Sequence, residues 1–147
     1  GVQLGRPGEG CGGLVSTTDD YLRFCDVLLR RGERDGVRLL SPRTVDFMTC
    51  NHLPGGADLL GFARSMYAET PFAGVGFGLG FSVVTDPVRH KVLGSQGTFA
   101  WGGAASTGFF VNPVEEITAV FMTQLIPSGT WPLRSQLTQL VTQAIVD

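Results

Sequence analysis

Acyl transfer by a side chain needs a nucleophile and a base that can take its proton. No serine of this sequence stands in G-x-S-x-G, so the elbow that lifts a serine above an α/β sheet is absent. No Ser or Thr is followed by Lys at helical spacing, because Lys91 is the sole lysine and its upstream neighbour on that face is Val88. His52 stands beside Asn51 and His90 between Arg89 and Lys91. Each reads as a solvated loop residue, since a site requires convergent partners. Cys11, Cys25 and Cys50 are odd in number and match no zinc or redox spacing. The sequence therefore predicts no metal, no cofactor and no disulfide framework, and it favours a reducing compartment.

One segment remains, running from Gly94 to Gly108 around Trp101-Gly102-Gly103-Ala104. A Trp-Gly-Gly step among small residues suits a packed strand poorly. On the residues alone the bland reading is favoured, a glycine-rich hairpin whose Trp101 fills the core. The functional reading is that Gly102 and Gly103 let a substrate approach the backbone, where an exposed N–H stabilises an oxyanion.

The elements that must hold this segment follow from patterning. Ser16-Thr17-Thr18-Asp19-Asp20 starts a helix, with Leu22, Cys25, Leu28 and Leu29 on its apolar side and Gly32 as its C′ stop. Asp35-Gly36 marks a tight turn. Ser41-Pro42 starts a second helix, with Val45, Phe47 and Met48 apolar and Asn51 at its end. Residues 51–73 read as a long loop. The alternation from Gly74 to Val83 predicts a single strand, with Val75, Phe77, Leu79, Phe81 and Val83 on one face and glycine on the other. It lacks the spacing and following helix of a phosphate loop. Asp86-Pro87 reads as a turn, and strands are expected near Thr98–Trp101 and Thr107–Asn112. Ile117–Gln124, apolar on both faces, reads as a central strand. From Pro132, Leu133, Leu137, Leu140, Val141, Ala144 and Ile145 form a wide stripe on a closing helix. Helix, helix, three or four strands and a last helix laid on them predict an α+β fold with an antiparallel sheet.

Composition bounds the partners. The chain has 147 residues, the size of one domain, with 11 basic and 13 acidic side chains. That balance carries no footprint for nucleic acid. No apolar run reaches the roughly 18 residues of a membrane span. Only 16% of residues are charged, against about 25% in ordinary soluble domains. So little polar surface predicts that something beyond these residues covers part of the apolar surface.

The sequence resembles a family over nearly its whole length. The carriers are Gly12-Gly13-Leu14-Val15-Ser16-Thr17, Leu39-Leu40-Ser41-Pro42, Gly76-Phe77-Gly78-Leu79-Gly80-Phe81, Gly97-Thr98-Phe99-Ala100-Trp101-Gly102-Gly103-Ala104, and Asn112-Pro113 followed by Ile117–Gln124. In this order they resemble the carboxyl-terminal portion of the serine β-lactamase-like hydrolases, the group with class C β-lactamases, D-Ala-D-Ala carboxypeptidases and related esterases. The resemblance implies the C-terminal part of a β-lactamase/transpeptidase-like fold over residues 1–147. The part bearing the nucleophile, a Ser-x-x-Lys on a helix, would then lie before residue 1 as the partner of these residues.

Of that family's three active-site elements, only the strand triplet Lys-Thr-Gly has a counterpart here, as the Trp-Gly-Gly form at Trp101-Gly102-Gly103. Ala104 falls where the family places an oxyanion N–H. Neither Tyr21 nor Tyr67 is followed by Asn two positions on, so the family's tyrosine role is not carried over. The implied activity is serine acyl transfer on a small ester, amide or β-lactam. Trp101 in place of a cation favours a neutral ester or amide. Two rivals are a non-catalytic member that binds or assembles, and an independent small interaction domain.

Overall fold

The computed structural model describes residues 16–62 and 72–146. Cys11, Tyr67 and the glycine-rich segment up to Val15 lie outside the described residues. Helix α1 (Thr18–Leu29) begins where the Thr17 hydroxyl accepts the Asp20 N–H at 3.1 Å, with Asp19 and Asp20 at the positive end of the helix dipole. It buries Cys25, Val27 and Leu28. It ends as Arg31 N–H bonds the Leu28 carbonyl at 3.0 Å and Gly32 N–H the Val27 carbonyl at 2.7 Å. In this arrangement Arg31, at φ 56°, occupies C′, and Gly32 comes one residue later than the spacing suggested. Gly32 has its own requirement, because a Cβ there would run into the Leu40 carbonyl.

Asp35 and Gly36, at φ 50° and 78°, join β1 (Glu33–Arg34) to β2 (Val37–Arg38) in the two-residue turn foreseen. Ser41 caps α2 (Pro42–Met48), its Oγ accepting Thr44 N–H at 3.0 Å. Val45 is buried, but Phe47 is exposed and stands edge-on to His52. Thr49, not Asn51, caps the helix end. Asn51 instead ties this loop to the sheet: its Oδ1 accepts N–H groups from Leu53 and Phe77, and its Nδ2 donates to the Ala57 carbonyl.

Strands β3 (Val75–Phe77), β4 (Ser82–Val84), β5 (Phe99–Gly102), β6 (Gly108–Asn112) and β7 (Ile117–Phe121) form one antiparallel sheet in chain order. The alternating segment at Gly74–Val83 is thus a hairpin, not one strand. Gly78 N–H bonds the Phe81 carbonyl at 2.8 Å, which leaves Leu79 and Gly80 (φ 96°) as the loop. Val75 pairs with Val84 and Phe77 with Ser82, so a two-residue loop reverses the phase of the alternation and puts Val83 on the other face. Asp86-Pro87 opens a short helix, α3 (Pro87–His90), rather than a simple turn, with Asp86 as its cap. His90 sits on that helix, half-buried, rather than in a solvated loop.

Strand β7 stands last in the described strand order; all five of its residues are half-buried, and Met122 beyond it is exposed.

Phe81, Val83, Phe99, Phe109 and Val111 form the core with Cys25 and Leu28 of α1. Burial raises the Cys25 thiol to about 12, so it stays protonated, as a small core residue should. The helix that covers β6 and β7 is therefore α1. The closing helix α4 (Leu133–Gln143) buries no residue, and Leu140 is exposed. It reaches the opposite face of the sheet, where Arg134 lies against Gly102 and Gly108.

Candidate functional site

Strand β5 delivers Trp101 and Gly102 to the end of the sheet, and the connection to β6 begins with Gly103 and Ala104. Trp101 is 45% exposed, and its ring meets Phe77 edge-on with centroids 4.9 Å apart. The hairpin reading is correct, but Trp101 does not fill the core; Phe99, two residues earlier, is 2% exposed and does. The end of β5 has no strand of β4 opposite it, because the β4 ladder stops at Ser82↔Ala100.

Gly102 is paired with Gly108, the last rung of the ladder. A Cβ on Gly102 would collide with the Arg134 guanidinium. Gly103 N–H closes the connection on the Thr107 carbonyl at 3.0 Å, and its own carbonyl accepts Ser106 N–H at 3.1 Å. Ser106 is fully buried at φ 63°, and its hydroxyl donates to the Leu125 carbonyl at 2.8 Å. Leu125 N–H returns a bond to the Ala105 carbonyl at 3.2 Å. From α4, Arg134 Nε donates to the Thr107 carbonyl at 3.0 Å and Nη2 to the Gly103 carbonyl at 2.6 Å. The connection is thus held by its own backbone, by the segment after β7, and by α4.

Ala104 is exposed at the tip of this tied connection. Its N–H donates to no described residue. A rigid turn that presents a backbone donor beside an apolar ring is a place where developing negative charge on an acyl oxygen can be met.

The other residues with potential chemistry do not converge here. His52 is exposed, and its Nε2 lies 2.7 Å from the Phe47 carbonyl. Tyr21 packs on Phe109 and Phe24, and burial, then the neighbouring Cys25, raises its phenol above the ordinary value. Cys50 is exposed and its Sγ donates to the Asp46 carbonyl. Among the described residues no group of three or more His, Cys, Asp and Glu is placed to hold a metal. No described helix is long and apolar enough to cross a membrane.

Sequence reasoning missed Arg134. A signal was present: a cation in the first turn of a helix opposes the dipole, so it has a reason to be there. The facing glycines at 102 and 108, which leave its space, become visible only once the register is known.

Comparison with known proteins places this arrangement in a family. The family model Beta-lactamase matches residues 1–142. Protein Rv1367c of Mycobacterium tuberculosis is 42% identical over 120 residues, which is 79% of this chain and 29% of that protein. Among solved structures, EstCE1, described as a hydrolase with promiscuous acyltransferase activity, is 28% identical with a TM-score of 0.64, over 87% of this chain and 30% of that one. Simvastatin synthase (LovD) from Aspergillus terreus shares the fold with a TM-score of 0.71 at 24% identity, over 90% of this chain and 35% of its own. The chain therefore spans about a third or less of the length of these relatives. With its antiparallel sheet, flanking helices and a family match over nearly every residue, the chain belongs to the β-lactamase family, whose fold is that of serine hydrolases.

Proposed function

We propose that this chain forms one wall of the acyl-transfer site of a serine hydrolase, with Ala104 N–H as an oxyanion donor and Trp101, Gly102 and Gly103 as the substrate-facing strand end. The rest of the same fold supplies the serine and its base. The serine oxygen attacks the acyl carbon while its proton passes to the base, and the carbonyl oxygen becomes an oxyanion held by Ala104 N–H and a second donor. Collapse expels the leaving group, which takes the proton, and leaves an acyl-enzyme that water or another alcohol resolves.

One observation carries this reading: the Ala104 N–H stands at an exposed, firmly tied tip, next to a half-exposed Trp101, and donates to no described residue. The glycines keep side chains out of the approach. Trp101 offers an apolar face without charge, which fits a neutral ester or amide better than an anionic β-lactam. The hydrolase description of EstCE1 points the same way.

The test is ester turnover and labelling by a fluorophosphonate in the longer protein that contains this chain together with a Ser-x-x-Lys segment. Turnover of a short-chain p-nitrophenyl ester, with label on that serine, is the expected result, while residues 1–147 alone stay inactive. A longer protein that lacks the Ser-x-x-Lys segment and neither labels nor hydrolyses points to the non-catalytic binding role instead. Penicillin turnover matching ester turnover would refute the neutral-substrate part.

A further inference from the structure

The geometry points to Arg134 as a positioning residue, which we propose holds the Gly103–Ala104 peptide in the orientation that sends the Ala104 N–H outward. The inference rests on the proposed role of Ala104 and adds the element that enforces it. The Gly103 carbonyl and the Ala104 N–H are the two ends of one planar trans peptide, so fixing one end fixes the other. Arg134 Nη2 binds that carbonyl at 2.6 Å, while Nε of the same rigid guanidinium binds Thr107 across the mouth of the hairpin at 3.0 Å. Two bonds from one planar fork define an orientation that a single point charge cannot.

Arg134 adds to the hold that the turn itself supplies, the Ser106 N–H bond to the same carbonyl at 3.1 Å. Gly103 has no Cβ to restrict its ψ, and a flip of the following peptide would break both bonds and turn the N–H inward. The strand leaves room for the guanidinium: a Cβ on Gly102 would occupy its place, and one on Gly108 would lie 3.2 Å from the Arg134 Cγ. Arg134 stands in the first turn of α4, where the dipole disfavours a cation. The two carbonyls offset that cost. A cation on a peptide carbonyl also polarises the unit and makes its N–H a stronger donor.

The experiment compares Arg134→Met and Arg134→Lys with wild type in the longer protein. It reads ester kinetics, the unfolding midpoint, and the Ala104 amide resonance after 15N labelling. Loss of a full oxyanion donor costs on the order of 100-fold or more in kcat, so mispositioning one should cost about 10- to 100-fold. Arg134→Met is expected to lose that much kcat with KM within about twofold, and to shift or broaden the Ala104 amide. Arg134→Lys, which keeps the charge but not the fork, should lie between, and it decides the matter if the Met variant does not fold. Millimolar methylguanidinium should restore part of the lost kcat to an Arg134→Ala variant, and urea should not. Wild-type kcat in Arg134→Met, or a kcat loss that only follows a lowered unfolding midpoint with the Ala104 amide unmoved, overturns the inference. If wild type itself neither turns over ester nor labels, the functional proposal fails, while the Ala104 amide still decides whether Arg134 sets the peptide.

Discussion

The β3–β4 and β5–β6 hairpins are both built from glycine-rich sequence, yet they dispose of their backbone donors in opposite ways. At the first, Gly78 N–H bonds the Phe81 carbonyl and Leu79 N–H the Met48 carbonyl, each at 2.8 Å. Its glycines admit other backbone and a side chain: a Cβ on Gly78 would strike the Met48 carbonyl, and one on Gly76 the Asn51 side chain. At the second, the glycines admit Arg134, and the tip carries an N–H directed to no described residue. The first tip commits its N–H groups to neighbouring carbonyls, while the second holds its carbonyl on Arg134 and leaves the Ala104 N–H without a described acceptor.

The contrast can be broken from either side. Ala104→Pro removes the outward N–H and should lower kcat in the longer protein by about 100- to 1000-fold, with Ala104→Gly near wild type. The same readout should not respond to the first hairpin. Gly78→Ala should instead destabilise the fold by about 1–3 kcal/mol in urea unfolding, because the new methyl overpacks a fixed carbonyl. Activity per folded molecule should be retained. Ser106→Ala removes the buried hydroxyl that ties the second hairpin to Leu125, at a cost of about 1 kcal/mol in the same assay, with a small fall in kcat as the turn loosens. Leu79→Lys, at a loop side chain 47% exposed, should change stability by less than about 0.5 kcal/mol and leave kcat alone. A large kinetic effect of either substitution in the first hairpin would erase the distinction.

Local chemistry was legible in the sequence. Thr17 and Ser41 cap helices because a hydroxyl reaches N–H groups two or three residues away, and Asp35-Gly36 turns because both can take positive φ. Strands β5 and β6 stand within a residue of where their patterning put them. What failed was non-local. Alternation over Gly74–Val83 looks alike in one strand and in a hairpin, since the phase reversal falls on residues as ambiguous as Leu79 and Gly80. That α1 rather than α4 covers β6 and β7 depends on which element meets which face, and patterning along one segment does not encode that. Trp101-Gly102-Gly103-Ala104 could be singled out by residue type, but the support from Arg134 spans 31 positions and needed the fold to bring it there.

The most direct test is a crystal structure of the longer protein with an ester-derived phosphonate or boronate bonded to its serine. The account predicts the analogue's oxyanion oxygen about 2.7–3.1 Å from Ala104 N, with the Gly103 carbonyl still on Arg134. An Ala104 N–H turned inward, or bonded elsewhere while that oxygen sits on other donors, would contradict it.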